Sequence, residues 1–139
     1  MLFLCVHNSA RSQMAEAYLK TLGGKKFDVE SAGLEAGKLN PIAVEAMKEE
    51  EIDISKNKTK NVNLFLEQGK RYDYVITVCD ESSAAQCPVF PGTHGRLHWS
   101  FGDPSSFSGT AQQKLHKTKI IRDEIKTAVK KFIEACDKC

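Results

Sequence analysis

Apolar positions fall along this chain with two alternating periods. Leu2-Phe3-Leu4-Cys5-Val6 is a continuous apolar run of strand length, and small polar residues follow it at once. Met14, Tyr18 and Leu22 then recur at helical spacing, and Gly23-Gly24 supplies a stop. Phe27, Val29 and Ser31 alternate with polar neighbours, which predicts a second strand leading into a turn around Ala32-Gly33. Asn40-Pro41 pairs a capping side chain with a first-turn proline and opens a helix carrying Ala43 and Met47, which ends before Ile52-Asp53-Ile54. The stretch from Lys56 to Gly69 holds a short helix. Tyr74-Val75-Ile76-Thr77-Val78 is the best buried strand, with Cys79 at its C-terminal end. Residues 80–95 lack periodicity and read as a mobile loop, and Leu97-His98-Trp99 gives a short fourth strand before the turn Phe101-Gly102-Asp103-Pro104. From about Thr110 the chain turns helical, with Ile121, Ile125, Ala128, Val129, Phe132 and Cys136 on one face.

Strands alternating with helices predict an α/β three-layer sandwich: a four-stranded parallel, doubly wound sheet with helices on both faces. The 139 residues suffice for one hydrophobic core, so a single domain over 1–139 is expected. Twenty basic against 18 acidic residues leave a net charge of +2, too small to imply nucleic acid or a membrane surface as partner. The opening apolar run is too short for a signal-peptide core and nothing later reaches spanning length, so a cytoplasmic location is expected. Five cysteines in such a chain favour reduced or catalytic thiols over a disulfide framework.

That turns attention to Cys5-Val6-His7-Asn8-Ser9-Ala10-Arg11, a loop between a buried strand and a helix. Backbone N–H groups of such a loop converge on one point, and the helix dipole adds positive potential there. A tetrahedral oxyanion fits it, with Val6, His7, Asn8, Ser9, Ala10 and Arg11 around the oxygens and the Cys5 sulfur beneath the central atom. Arg11 can close as a bidentate clamp. The same field lowers a thiol from about 8.5 toward neutrality, and Ser12 can donate a hydrogen bond to the thiolate. A cysteine and an arginine six apart would by themselves more often be a strand residue and a solvated helix start; the strand context and the Asp103-Pro104 turn, a source of a general acid, set this pair apart.

The run Cys5 to Arg11, continued by Ser12-Gln13-Met14-Ala15-Glu16, resembles the opening loop of the low-molecular-weight protein tyrosine phosphatase superfamily, particularly its thioredoxin-coupled arsenate reductase branch. Ser31-Ala32-Gly33, Asn40-Pro41, Ile52-Asp53-Ile54-Ser55, Thr77-Val78-Cys79, Cys87-Pro88, His98-Trp99, Asp103-Pro104 and Ile121-Arg122-Asp123-Glu124-Ile125 extend the resemblance along nearly the whole chain. It implies that arsenate is the substrate, with phosphate and sulfate as competing anions. It also implies that Cys5 forms a thiol adduct, that Asp103 protonates the leaving oxygen, and that Cys79 and Cys87 carry the oxidising equivalents to thioredoxin. No bound cofactor is implied, and the expected state is a monomer.

A phosphatase needs one cysteine, whereas reduction of pentavalent arsenic needs two thiol electrons, so Cys79 and Cys87 favour the reductase. The enzyme alternative is a tyrosine phosphatase or phosphomonoesterase using Cys5, Arg11 and Asp103 alone. A third is a non-catalytic anion-binding module. Seven residues, Asp80 to Gln86, separate the two relay cysteines, one more than is usual in the family. Ala10 stands where the reductases often carry cysteine, and Ser105-Ser106 where the phosphatases carry an aromatic flank, with Phe107 slightly later. Some reductases hold potassium through residues matching Asn8, Glu16 and Ser31 and an acid. Here Lys60 occupies the acid's place, so no metal is expected. Cys136 and Cys139 read as part of a structural tail, and Trp99 with Phe101 as core packing.

Overall fold

In the computed structural model, the described residues are 1–5, 8, 10–24, 27–34, 37–78, 95–102, 104 and 107–137, without the side chains of 96, 136 and 137. Four strands, β1 (Leu2–Cys5), β2 (Glu30–Gly33), β3 (Tyr74–Thr77) and β4 (Gly95–His98), form one parallel sheet in the order β2-β1-β3-β4. The helices are α1 (Arg11–Gly23), α2 (Pro41–Lys48), α3 (Val62–Glu67) and α4 (Ala111–Asp137). The α/β architecture expected from the pattern is the one observed.

β1 is apolar throughout because both its faces are covered and both its edges are paired. Phe3 and Cys5 face the larger core, which holds Met14, Tyr18, Met47, Ile76, Ile125 and Val129. Leu2 and Leu4 face a smaller one with Val62, Phe65, Tyr72 and Val75. Helices α1, α2 and α4 therefore cover one side of the sheet and α3 the other. Trp99 and Phe132 extend the larger core: Trp99 lies 5.9 Å from Phe3 and 6.1 Å from Phe132 between ring centroids. The Asn40 side chain accepts from the Ile42 backbone N–H at 2.9 Å and Pro41 occupies the first helical turn, so the cap read from sequence forms.

Two strand boundaries and one burial differ from the sequence reading. β2 begins at Glu30 and runs through Ala32 and Gly33, which pattern alone assigned to a turn; Gly33 is instead the register partner of Cys5. β4 begins at Gly95 rather than Leu97. Leu22, placed on the buried face of α1, is 40% exposed, while Met14 and Tyr18 are buried. A 13-residue helix spans about 20 Å and a four-residue strand about 13 Å, so the last turn of α1 outruns the strand beneath it. No helix among the described residues is long and apolar enough to cross a membrane.

A polar clasp joins α1, the end of α2 and α4. Lys126 Nζ donates to Glu50 Oε1 at 2.9 Å and Tyr18 donates its hydroxyl to the same oxygen at 3.3 Å. Burial, then the Glu50 carboxylate, pushes the Tyr18 phenol above its ordinary range, so it remains a donor. The Lys126 hydrogen bond, ahead of the other influences, holds the Glu50 carboxyl below its ordinary 4.5. The folded state thus binds a proton at Glu50 less readily than the unfolded chain does. That contribution is complete above about pH 5.5 and disappears as pH falls through the lowered value. In Lys126→Met the decline of the urea midpoint between pH 5 and pH 3 is expected to be shallower than in wild type; parallel curves would refute this.

Candidate active site

Parallel strands end together, and the loops that leave their C-terminal edge are the usual place for chemistry. Cys5 is the last residue of β1 and is 3% exposed. Its carbonyl accepts from the Leu34 N–H at 3.1 Å, which ties it to the end of β2. Arg11, 5% exposed, opens α1 from the far end of the same loop, and the first helical bond runs from Met14 N to Ala10 O at 2.9 Å. Arg11 Nη1 donates to the Phe101 carbonyl at 3.2 Å, so the cation is held toward the segment that continues into Asp103-Pro104.

Between these two, Asn8 is fully buried with φ 54°, a left-handed conformation that asparagine adopts more readily than most residues. Its amide is the centre of a buried network. Asn8 Nδ2 donates to Ser12 Oγ at 2.7 Å and to Ser31 Oγ at 3.0 Å. Asn8 Oδ1 accepts from Gln13 Nε2 at 3.0 Å and from the Lys60 N–H at 3.0 Å. Gln13 Nε2 also donates to Lys58 O at 3.1 Å, and Gln13 Oε1 accepts from Asn57 Nδ2 at 3.1 Å. Residues 57–60 further brace the end of β2: Lys60 O accepts from Gly33 N at 2.8 Å, and the Thr59 hydroxyl donates to Gly37 O. A left-handed loop residue is thereby fixed by α1, β2 and the connection before α3 at once. Such rigidity is what preorganised anion binding needs.

Glu16, one helical turn beyond Ser12, is 4% exposed. The Lys60 ammonium lies 3.8 Å and the Lys20 ammonium 3.7 Å from its Oε1. Two cations thus border a carboxylate that burial would otherwise disfavour. At the other end of the sheet edge, Thr77 Oγ1 and His98 Nδ1 are 2.7 Å apart across β3 and β4. Pro104 and Phe107 line a cleft of about 280 Å³ with Leu39, Pro41 and Ile42.

Of the residues singled out from sequence, Cys5, Asn8, Ala10, Arg11 and Ser12 are brought together at one end of β1. Val6, His7, Ser9, Cys79, Cys87 and Asp103 lie outside the described residues, as do the 80–94 part of the expected mobile loop and Cys139. Sequence reasoning passed over Gln13 and Asn57. No local signal marks them: every residue from Arg11 to Leu19 is buried, and that enclosure comes from tertiary packing rather than from the polar pattern of the stretch.

The family model described as low molecular weight phosphotyrosine protein phosphatase matches residues 1–139. The chain belongs to that family. Among curated relatives of this family member, an arsenate reductase of Halalkalibacterium halodurans is 44% identical over 132 residues, covering 95% of this chain and 93% of the relative. A solved arsenate reductase in its phosphate-binding state superposes with a TM-score of 0.76 at 32% identity, over 96% of this chain and 95% of that one. The thioredoxin-dependent arsenate reductase of Corynebacterium glutamicum aligns at 29% identity and a TM-score of 0.60, over 93% of this chain and 60% of its own. Family membership gives the loop from Cys5 to Arg11 its setting: it leaves the sheet of a low-molecular-weight phosphatase-type fold.

Proposed function

We propose that the chain is a cytoplasmic arsenate reductase that works through Cys5, Cys79 and Cys87 and is regenerated by thioredoxin. The observation that carries this reading is the buried Cys5–Arg11 pair on a braced loop, in a chain whose relatives are arsenate reductases. The Cys5 thiolate attacks arsenate within the loop 5–11, with Arg11 on two oxygens and Asp103 protonating the oxygen that leaves as water. This forms an S–As bond with arsenic still pentavalent. The Cys79 thiolate then attacks Cys5 Sγ. The S–As electron pair passes to arsenic, trivalent arsenite departs, and a Cys5–Cys79 disulfide remains. Cys87 attacks Cys79, frees Cys5 as thiolate, and leaves a Cys79–Cys87 disulfide for the thioredoxin dithiol to reduce. Two electrons enter from thioredoxin for each arsenic reduced.

Incubating the protein with arsenate, thioredoxin, thioredoxin reductase and NADPH is expected to yield one arsenite per NADPH consumed. Absence of arsenite from a correctly folded protein would overturn the reading. The likeness to an arsenate reductase solved in a phosphate-binding state favours one secondary activity, slow hydrolysis of an aryl phosphate, in which water rather than Cys79 attacks the Cys5 adduct. Release of p-nitrophenol from p-nitrophenyl phosphate that persists without Cys79 and Cys87 would support it.

A further inference from the structure

Thr77 carries a buried hydroxyl at the end of an apolar strand. It closes β3, is 1% exposed, and has Leu4 on β1 and His98 on β4 as its register partners. Residues in register share a face of the sheet, so Thr77 lies on the side where Leu4 and Val75 meet the smaller core. Valine has nearly the same shape and would bury there with no polar atom, whereas a buried hydroxyl is costly unless it has a partner. The short contact is His98 Nδ1 at 2.7 Å, with the Leu97 carbonyl farther off at 3.4 Å. The pair closes whichever side donates. Thr77 gives its proton to an unprotonated ring nitrogen, or Nδ1–H donates to Thr77 Oγ1 and the hydroxyl proton turns to Leu97 O. His98 itself is exposed, on the outermost strand of the sheet. The Trp99 N–H donates to Thr77 O at 2.7 Å, so the side-chain bond reinforces the β3–β4 ladder at its last rung.

The same rung limits how far apart two thiols can lie along the backbone. Cys5 follows Leu4 by one residue and Cys79 follows Thr77 by two. Leu4 and Thr77 are partners on adjacent strands, which run about 4.8 Å apart. The Val78 N–H, donating to Leu4 O at 2.8 Å, ties the chain leaving β3 to β1. Two residues of chain reach about 7 Å at most, so a fixed Thr77 keeps the Cys79 backbone in the neighbourhood of Cys5. We infer that Thr77 and His98 are positioning residues for the relay: their hydrogen bond pins the end of β3 at the point from which Cys79 reaches Cys5. The inference rests on the Cys5–Cys79 step proposed above. Both residues act through the chain position of Cys79, not on substrate. A thiol confined near its target attacks at a high effective concentration, and a loosened tether lowers that concentration. The anion loop is braced from elsewhere, through Ser31, Lys60 and Phe101, so the two functions are separable.

Arsenite release in a single turnover without thioredoxin, followed by quenched flow, measures the Cys79 attack. Thr77→Val removes the hydroxyl and keeps the shape, and His98→Ala removes the ring. In each the rate of arsenite release is expected to fall about tenfold, while the yield stays at about one arsenite per enzyme. Arsenate should protect Cys5 from iodoacetamide at the same concentrations as in wild type, which separates a misplaced Cys79 from a damaged anion loop. Thr77→Ser restores a hydroxyl and His98→Asn puts an amide atom where Nδ1 stands, and both should release arsenite at the wild-type rate. If the valine variant does not fold, His98→Ala decides, because residue 98 is exposed. Wild-type rates in Thr77→Val and His98→Ala, or a loss of arsenate protection in step with the loss of rate, would overturn the inference. Failure of the underlying step looks different: wild-type protein would form no arsenite, or Cys79→Ser would release it at the wild-type rate.

Discussion

Replacing Asn8 with alanine is expected to destabilise the protein by about 4 kcal/mol and to lower arsenate turnover about 100-fold or more. Two separate losses combine. The first is hydrogen bonding: Ser12 Oγ, Ser31 Oγ, Gln13 Nε2 and the Lys60 N–H all meet the Asn8 amide in a buried setting, and truncation leaves each short of a partner. A buried polar group left unpaired costs about 1–3 kcal/mol, and partial relaxation keeps the sum below four times that. The second is conformational. Asn8 has φ 54°, and an alanine there gives up about 1 kcal/mol that asparagine recovers locally and glycine never loses. Asn8→Gly should therefore be more stable than Asn8→Ala by about 1 kcal/mol while sharing its low turnover. Urea unfolding of the three proteins, read beside arsenite production, separates the two losses. An alanine variant within about 1 kcal/mol of wild type would show that the network does not hold the loop.

That network also marks how far the sequence could be read. β1, β3 and the long apolar stripe of α4 were legible because each is a continuous signal: Leu2 to Cys5, Val75 to Thr77, and Ile121, Ile125 and Val129 are buried as their pattern requires. Cys5 and Arg11 were legible because strand, loop and helix start fall in that order within seven residues. Gly33 was misread because glycine after a short alternating run looks like punctuation, whereas pairing with Cys5 depends on a partner 28 residues away. Gln13 and Asn57 were missed for a related reason. A polar residue on a helix is ordinarily a solvated one, and only the tertiary enclosure of the first turns of α1 turns Gln13 into a bridge. Local signals name the elements; the contacts that orient the loop after β1 come from segments distant in sequence, here residues 57–60 and Phe101.

Replacing either relay cysteine with serine is expected to abolish multiple-turnover arsenite production, and the two variants should differ in a single turnover. With Cys79→Ser, no thiolate attacks Cys5 Sγ, arsenic keeps its pentavalent state in the adduct, and arsenite release should be absent from the first turnover onward. With Cys87→Ser, Cys79 still displaces arsenite and forms the Cys5–Cys79 disulfide, so one equivalent of arsenite per enzyme should appear in a burst before the reaction stops. In the proposed relay the electrons explain the difference: Cys5 and Cys79 together would supply the two that arsenic needs, and Cys87 would only move the resulting disulfide outward. Arsenate should protect Cys5 from alkylation in both variants, because neither substitution alters the loop 5–11 or the bonds that brace it. Quenched-flow measurement of arsenite, with disulfide mapping of the stopped enzymes, tests every part. A burst in Cys79→Ser would transfer the first attack to another thiol. Sustained turnover in Cys87→Ser would mean that thioredoxin reaches the Cys5–Cys79 disulfide itself, and the seven residues from Asp80 to Gln86 would then have no part in carrying it to the surface.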